Sequence, residues 1–471
     1  MKLTSPWTPR LAPPPGLAHE RLTAALAEDI LAGIIPSGAR LPAHRDLAHR
    51  LSISLGTVTR AYETLQRRGL ANGQKGRGMF VNETGAHEGA REGARENARE
   101  RARENARIDL SVNLPPPVLT APMLKALLGR VAEKVDARQF NAYEAPAGRP
   151  SHRTLLARRL ADERGLAFDP DRLFVTSGAQ HAIFIAIAAA PPGPLAIEEV
   201  TYPGALRAAR MLGRELVPLA MDDEGVTPDS LRAALARPDP PRVVYLMPSM
   251  QNPTGALMQA ARRREIADIA RAADLTLIED DVYAVFAPAL PALAQLSPER
   301  CFHVGSLSKS LAPGLRTGYL FAPEDTTEAC NHWLQATRSM ADPLSGLIME
   351  QGLGEGLDRS VAQSIRAQAQ ARCRMARERL GPWLAPQPVD GLHVWLPLPT
   401  ARARDIVLAG ARRDIHLAPP EAFMADPRAP DAGLRICLGN AEPEPLAAAL
   451  DIIAELLTQT SEARLGLFPA V

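Results

Sequence analysis

At 471 residues the chain is too long for one hydrophobic core, and a prior of about 100–200 residues per domain gives roughly two to four units. A formal net charge of +1 with 46% hydrophobic residues describes an ordinary soluble globular protein and excludes a wholly basic packer of nucleic acid, so any affinity for a polyanion has to be local. The four cysteines, Cys301, Cys330, Cys373 and Cys437, form no Cys-x-x-Cys pair, which argues against a metal site or a disulfide framework and for a reducing cytoplasm.

The opening "MKLTSPWTPRLAPPP" has one early lysine and no apolar signal-peptide core, and the longest wholly apolar run, Ala182 to Ala190, is nine residues. Neither membrane insertion nor export is expected. After this Pro-rich leader, residues 17–82 carry nine Lys and Arg against five Asp and Glu, a local excess where a polyanion could bind. Leu22, Leu26, Ile30 and Ile34 recur at helical spacing and predict an amphipathic helix over residues 20–35. A short helix around Asp46 to Leu51, a tight turn at Ser52 to Ser54 and a longer helix from about Gly56 to Arg68 follow, then "QKGRGMFV". A short helix, a turn, a second helix and a Gly-rich hairpin are the layout of a winged helix-turn-helix, whose second helix enters the major groove while the hairpin lies along the backbone.

This stretch resembles the GntR family of bacterial regulators, on "LP" then "RDLA" at 41–48, "TVTRAYETL" at 57–65, "RGL" at 68–70 and "GRGMFV" at 76–81. The resemblance implies that Arg45, Ser54, Thr57 and Arg60 face DNA and that Lys75 and Arg77 meet phosphates. Leu55 stands where many relatives carry an arginine, and Gly56 weakens the start of the helix by about 1 kcal/mol relative to Ala.

Residues 83–107 form a linker in which "EGAREGARENARERARENAR", from Glu88 to Arg107, repeats Glu and Arg every fourth position. On a helix each Glu meets an Arg at i+3, but like charges at i+4 largely cancel the gain. A solvated linker and a partner-binding helix are both open; either lets the flanking domains stand well apart.

From Ile108 to the end at residue 471, Ala-, Leu- and Arg-rich helical stretches alternate with β-like runs at 195–197, 243–247, 275–279, 301–305 and 317–322. Such alternation predicts an α/β domain of parallel strands with helices on both faces, and ligands at the carboxyl ends of the strands. Chemistry-bearing residues follow these runs. "TSGAQHA" at 176–182 opens an apolar helix, so Ser177, Gly178 and Ala179 are suited to a phosphate at its N-terminus. Tyr202 in "EEVTYPGA" has a ring to lay on a planar cofactor; taken alone it reads as a core tyrosine. Asn252 in "QNPTGA" has an amide to donate, and Asp280 in "LIEDDVYAVF" ends a strand with Tyr283 three residues on. "GSLSKSLAPGLRTGYLFA" at 305–322 supplies Lys309 between Ser306 and Ser308, with Arg316 as a nearby cation. A pyridoxal 5'-phosphate site needs a lysine for the imine, a carboxylate for the pyridine nitrogen, a donor to the ring oxygen, a stacking face and a phosphate cradle, and these residues provide each in order. Lys309 must be partly deprotonated to attack an aldehyde, which desolvation and neighbouring positive charge favour.

On these motifs, residues 108 to about 460 resemble a fold-type I, aspartate-aminotransferase-like transferase with a C-terminal small α+β subdomain. The resemblance implies Lys309 as the cofactor lysine, Asp280 at the pyridine nitrogen, Asn252 and Tyr283 at the ring oxygen and Tyr202 as the stacking residue. It also implies that Arg435 in "GLRICLG" clamps an amino-acid α-carboxylate and that Tyr143 in "YEAPAG" reaches the phosphate of a neighbouring subunit. A winged-helix head on such a domain resembles the MocR subgroup of GntR regulators, in which dimers are head-to-tail. Three functions stay open: a regulator that binds promoter DNA and senses an amine, an amino acid or a B6 vitamer; an active aminotransferase with a DNA-binding appendage; and a domain that only holds a dimer together.

Overall fold

The computed structural model describes residues 7–13, 16–74, 78–82 and 107–465. In the head, α1 (Ala18–Leu31), α2 (His44–Arg50) and α3 (Leu55–Arg67) pack around Leu22, Leu26, Leu47, Val58 and Leu65, and β1 (Ala71–Gln74) pairs antiparallel with β2 (Gly78–Val81) as the wing. Ser54 caps α3 by accepting from the Thr57 amide at 3.1 Å, so the turn residue also starts the second helix of the helix-turn-helix. The first helix is shorter than its periodicity predicts. Gly33, at φ +74°, turns the chain out of the helix, so Ile34 is left 57% exposed and Ile35 enters the core in its place. The leader is strapped to α1: the Trp7 indole, 5% exposed, donates to Asp29 at 2.5 Å, and Arg10 bonds both Glu28 and Asp29.

The body is built on a seven-stranded sheet. Its strands are β3 (Leu173–Thr176), β4 (Leu195–Glu198), β5 (Leu216–Leu219), β6 (Val243–Leu246), β7 (Thr276–Asp280), β8 (Cys301–Ser306) and β9 (Gly318–Phe321), in the order β3-β9-β8-β7-β6-β4-β5. Strands β4 to β8 are parallel, and most of their residues are buried, as a sheet covered on both faces requires. The run at 317–322 departs from the all-parallel expectation: β9 is antiparallel to both β8 and β3. A parallel return needs a crossover of a dozen or more residues, usually helical, whereas the loop from Ser306 to Gly318 holds only turns and a 3-10 turn at Pro313–Leu315.

Around the sheet lie α4 (Ala121–Lys134), α5 (Pro150–Arg164), α6 (Ala179–Ala189) and α7 (Pro203–Met211); α8 (Leu357–Leu380) leads into a smaller subdomain closed by α9 (Pro443–Leu465). There β10 (His393–Leu396) and β11 (Leu434–Cys437) pair antiparallel over a second core of Val394, Leu396, Ile436 and Leu450. Ile108–Asp109 pairs in parallel with Ile415–His416, so the first residues after the linker belong to this subdomain before the chain crosses to the sheet.

The head is seated on the body of its own chain rather than standing apart from it. Arg68 donates to Ser360 Oγ at 3.0 Å and to the Glu355 carbonyl, while Arg130 of α4 pairs with the Glu355 carboxylate at 2.6 Å and donates to the Arg67 carbonyl. Gly69, at φ +68°, fits so closely that a Cβ there would lie 2.3 Å from the Pro122 carbonyl oxygen. The charged repeat, apart from Arg107, lies outside the described residues.

Candidate functional site

The carboxyl ends of β4, β6, β7 and β8 and the inner edge of the small subdomain enclose a cavity of about 780 Å³. Of the residues singled out in the sequence, it gathers Ala179, Tyr202, Asn252, Asp280, Tyr283, Ser306, Ser308, Lys309, Arg316 and Arg435 on its lining.

Lys309 leaves β8 on a turn, donates to the Asn113 carbonyl, and has its ammonium 5.6 Å from the centre of the Tyr283 ring. Burial pushes its pKa down to about 8, and the neighbouring positive charge that assists is Arg435. This differs from the expectation that Arg316 plays that part. Arg316 instead donates to the Ser177 carbonyl at 3.0 Å, from a backbone at φ +50°.

Asp280 is buried at the end of β7, and desolvation lifts its carboxyl to about 6. The Tyr245 hydroxyl, on the adjacent strand β6, donates to it at 2.7 Å and opposes that rise. Asn252, next to the cis Asn252–Pro253 bond, accepts from Arg435 through Oδ1 at 2.7 Å, which leaves its N–H groups to donate elsewhere. Arg435 donates also to the Ser111 carbonyl and stacks 4.6 Å from the centre of the Phe423 ring. The Tyr283 hydroxyl accepts from Asn113 at 2.7 Å, and Asn113 also bonds His393 at 2.9 Å.

At the other end, Ser306 Oγ lies 2.9 Å from Ser308 Oγ. Gly178, at φ +81°, admits Arg316, whose guanidinium would lie 2.7 Å from a Cβ there; a Cβ on Gly318 would meet the Gly178 backbone at 2.5 Å. Two small residues therefore bring Arg316 against the N-terminus of α6, which offers its free amides. Ser177 and Gly178 support this corner without lining the cavity, and the Ser177 hydroxyl accepts from Arg338 at 2.6 Å. Tyr143 is 89% exposed and outside the cavity of its own chain.

In the head, Arg45, Ser54 and Arg60 are exposed and Thr57 is half-buried, with its hydroxyl 2.8 Å from that of Ser54. Lys75 and Arg77 lie outside the described residues.

The donor set fits a phosphorylated pyridine aldehyde: a cation, two hydroxyls and a helix N-terminus for the phosphate, a carboxylate for the ring nitrogen, and an amine of depressed basicity for the aldehyde. The fold and this arrangement define a pyridoxal-phosphate-binding domain with the fold of type I transferases, bearing a winged-helix head. The chain belongs to the aminotransferase class I and II family, whose model matches residues 106–453, and its head matches the gntR family of bacterial regulatory proteins over residues 18–81. The combination is that of the MocR subgroup, and the cofactor of the fold is pyridoxal 5'-phosphate.

The chain is 27% identical to the uncharacterised HTH-type transcriptional regulator YdeF of Bacillus subtilis, over 91% of this chain and 92% of YdeF. It is also 27% identical to the HTH-type pyridoxine biosynthesis transcriptional regulator PdxR of Corynebacterium glutamicum, over 76% of each. Among solved structures, the body is similar in fold to an archaeal alanine:glyoxylate aminotransferase, with a TM-score of 0.68 at 24% identity, covering 77% of this chain and 94% of that one. Among the described residues no helix is long and apolar enough to cross a membrane.

Sequence reasoning passed over Asn113, Tyr245, His393 and Arg207. For Tyr245 a signal existed: it lies in the run next to the one ending in Asp280 and is in register with Ile278.

Proposed function

We propose that the protein is a transcriptional regulator that binds promoter DNA through its head and takes up an amine, an amino acid or a B6 vitamer at Lys309. The observation that carries this reading is the pairing, in one chain, of a complete cofactor donor set with a head held by Arg68 and Arg130 on the body that contains it.

Bound, the cofactor supplies an aldehyde for condensation with amines and an electron-withdrawing ring. Lys309, unprotonated in growing proportion as pH rises toward 8, is the amine that holds it. Asp280, braced by Tyr245, presents its carboxylate to the ring nitrogen. Asn252, oriented by Arg435, donates to the ring oxygen together with Tyr283, and Tyr202 covers the ring face. Ala179 at the start of α6, with Ser306, Ser308 and Arg316, holds the phosphate, and Ser177 and Gly178 shape the corner behind it. Arg435 takes the α-carboxylate of an amino-acid ligand. The exposed Tyr143 suits contact with a second copy's phosphate site, in a head-to-tail homodimer. In the head, Arg45, Ser54, Thr57 and Arg60 face the major groove, and Lys75 and Arg77 of the wing meet phosphates.

A ligand signals only if it binds two arrangements of the protein with different affinity. The seam at Glu355 and Ser360 adjoins the start of α8, the helix that joins the two halves of the body. Movement of the small subdomain against the sheet is therefore passed to the surface on which the head sits.

The intact donor set also favours a second reading, an amino-acid aminotransferase with a DNA-binding appendage. One experiment separates the two: the cofactor-loaded protein is titrated with amines and amino acids while its visible absorbance is followed, with and without promoter DNA. A ligand that alters both the spectrum and promoter protection supports the regulator. Steady conversion of an amino acid and a keto acid, with promoter binding indifferent to either, favours the enzyme.

A further inference from the structure

Asn113 holds neither cofactor nor ligand in the function proposed, yet it bonds Lys309, Tyr283 and His393 at once. It is 8% exposed, on the segment that enters the cavity directly after the Ile108–Asp109 strand. The Leu114 amide donates to the Val112 carbonyl at 2.9 Å and closes a tight turn with Asn113 at its apex. Its main-chain carbonyl accepts from Lys309, while its side chain runs between Tyr283 of the sheet body and His393 of the small subdomain.

The direction of each hydrogen bond in this group follows from His393. Burial, then the positive charges of Arg435 and Lys309, push its imidazole down to about 3, so the ring is neutral and carries one N–H. Nε2 faces the Gln251 carbonyl at 3.2 Å, and a carbonyl only accepts, so the hydrogen is on Nε2. Nδ1 therefore accepts, and the amide of Asn113 must turn an N–H toward it at 2.9 Å. The second N–H of that amide then points at the Tyr283 oxygen at 2.7 Å. The Tyr283 hydroxyl is thereby an acceptor on this side, and its own hydrogen is left to be donated elsewhere. Asn113 Oδ1 is buried without a partner among the described residues, an unfavourable position that the two directed N–H bonds require.

We propose that Asn113 is a positioning residue for the cofactor: by occupying the Tyr283 oxygen from one side, it aims the Tyr283 hydrogen at the ring oxygen. The proposal rests on the reading that Tyr283 donates to that oxygen. It deepens the reading by naming the residue that fixes the donor's direction. Asn252, the other donor, has its direction set in the same manner, by Arg435 on its Oδ1. Both donors are thus oriented by residues that belong to the small subdomain or travel with it, and a shift of that subdomain against the sheet alters the charge on the ring oxygen.

The test is a visible-absorbance titration of the cofactor-loaded full-length protein. A donor to the ring oxygen stabilises negative charge there, so its loss raises the pH at which the band of the lysine-bound cofactor passes from its protonated to its unprotonated form. Tyr283→Phe sets the scale and should raise that midpoint by about one pH unit. Asn113→Leu, close in shape but without a donor, and Asn113→Ala should each raise it by at least half as much. In combination with Tyr283→Phe, Asn113→Leu should add nothing, because the two residues act through one hydrogen bond. The groups that face the site from the other elements, Asp280, Tyr202, Arg316, Arg435, Cys437 and His393, are present in every variant, so differences between midpoints report the ring oxygen. Capture of pyridoxal phosphate by cofactor-free Asn113→Leu should keep the wild-type pH profile, since the carbonyl that meets Lys309 is main-chain.

A midpoint that moves in Tyr283→Phe and stays in both Asn113 variants overturns the proposal. Full additivity in the double variant overturns it as well, because Asn113 would then act by a route that bypasses Tyr283. Loss of the fold in both Asn113 variants, read by circular dichroism, would assign the residue to structure instead. If Tyr283→Phe itself leaves the midpoint unchanged, it is the underlying placement of Tyr283 at the ring oxygen that fails.

Discussion

Lys309 is a buried amine in a basic neighbourhood, and both conditions lower its proton affinity. The ordinary lysine value of 10.5 falls to about 8, so the neutral amine that attacks an aldehyde is far more abundant near neutrality than on a surface lysine. The sign follows directly: protonation blocks attack, so the rate at which the cofactor-free protein captures pyridoxal phosphate should rise about tenfold per pH unit below 8 and flatten above it. Stopped-flow absorbance checks this, and a flat profile from pH 6 to 9 contradicts it. Lys309→Ala should abolish the visible absorbance of lysine-bound cofactor and leave the circular dichroism unchanged. Tyr245→Phe removes a hydrogen bond to the Asp280 carboxylate worth about 1.5–3 kcal/mol for a charged acceptor, part of which a water recovers. Cofactor affinity measured by equilibrium dialysis should fall several-fold, without loss of the fold.

Among the elements, α3 and the seam under it carry separable duties. Its exposed face presents Arg60, while its buried face holds Val58, Ala61, Tyr62 and Leu65 in the head core. Arg60→Ala and Arg45→Ala should therefore weaken operator binding while cofactor content stays unchanged, and raising salt should weaken the wild type with a log–log slope of about −0.9 per phosphate contacted. Wild-type operator affinity in both variants would mean that another surface reads the DNA. Glu355 meets Arg130 on α4 through a pair only 16% and 13% exposed. Glu355→Ala takes from Arg130 the carboxylate that holds it toward the Arg67 carbonyl of the head, and should weaken head docking by about 1 kcal/mol. The measurement is limited proteolysis between head and body, which should quicken, with the cofactor spectrum unaltered.

At the scale of the whole molecule, two cores divide the work. The sheet and the head share one continuous cluster of buried residues, whereas the small subdomain has its own, so the cavity lies where two packed bodies meet. Ligand sites are common at such junctions because a small relative movement changes every contact in them. The Ile108–Asp109 strand belongs to the small subdomain, and the next residues, Ser111 to Leu114, line the cavity. The chain thus passes from the linker directly through the ligand site.

The residues whose type is dictated locally were legible in the sequence. Asp280 and Lys309 follow hydrophobic strands, Gly178 opens an apolar helix, and Ser54 caps one; in each case a turn or a strand end demands that kind of residue within a few positions. What the sequence could not disclose depends on chain segments far apart. Asn113 reaches Tyr283 and His393 across 170 and 280 positions, and Arg435 rather than Arg316 is the cation that acts on Lys309. The reversed strand β9 and the docked head are of the same kind. Burial, register and charge balance are properties of packed surfaces, and only the tertiary structure brings those surfaces together.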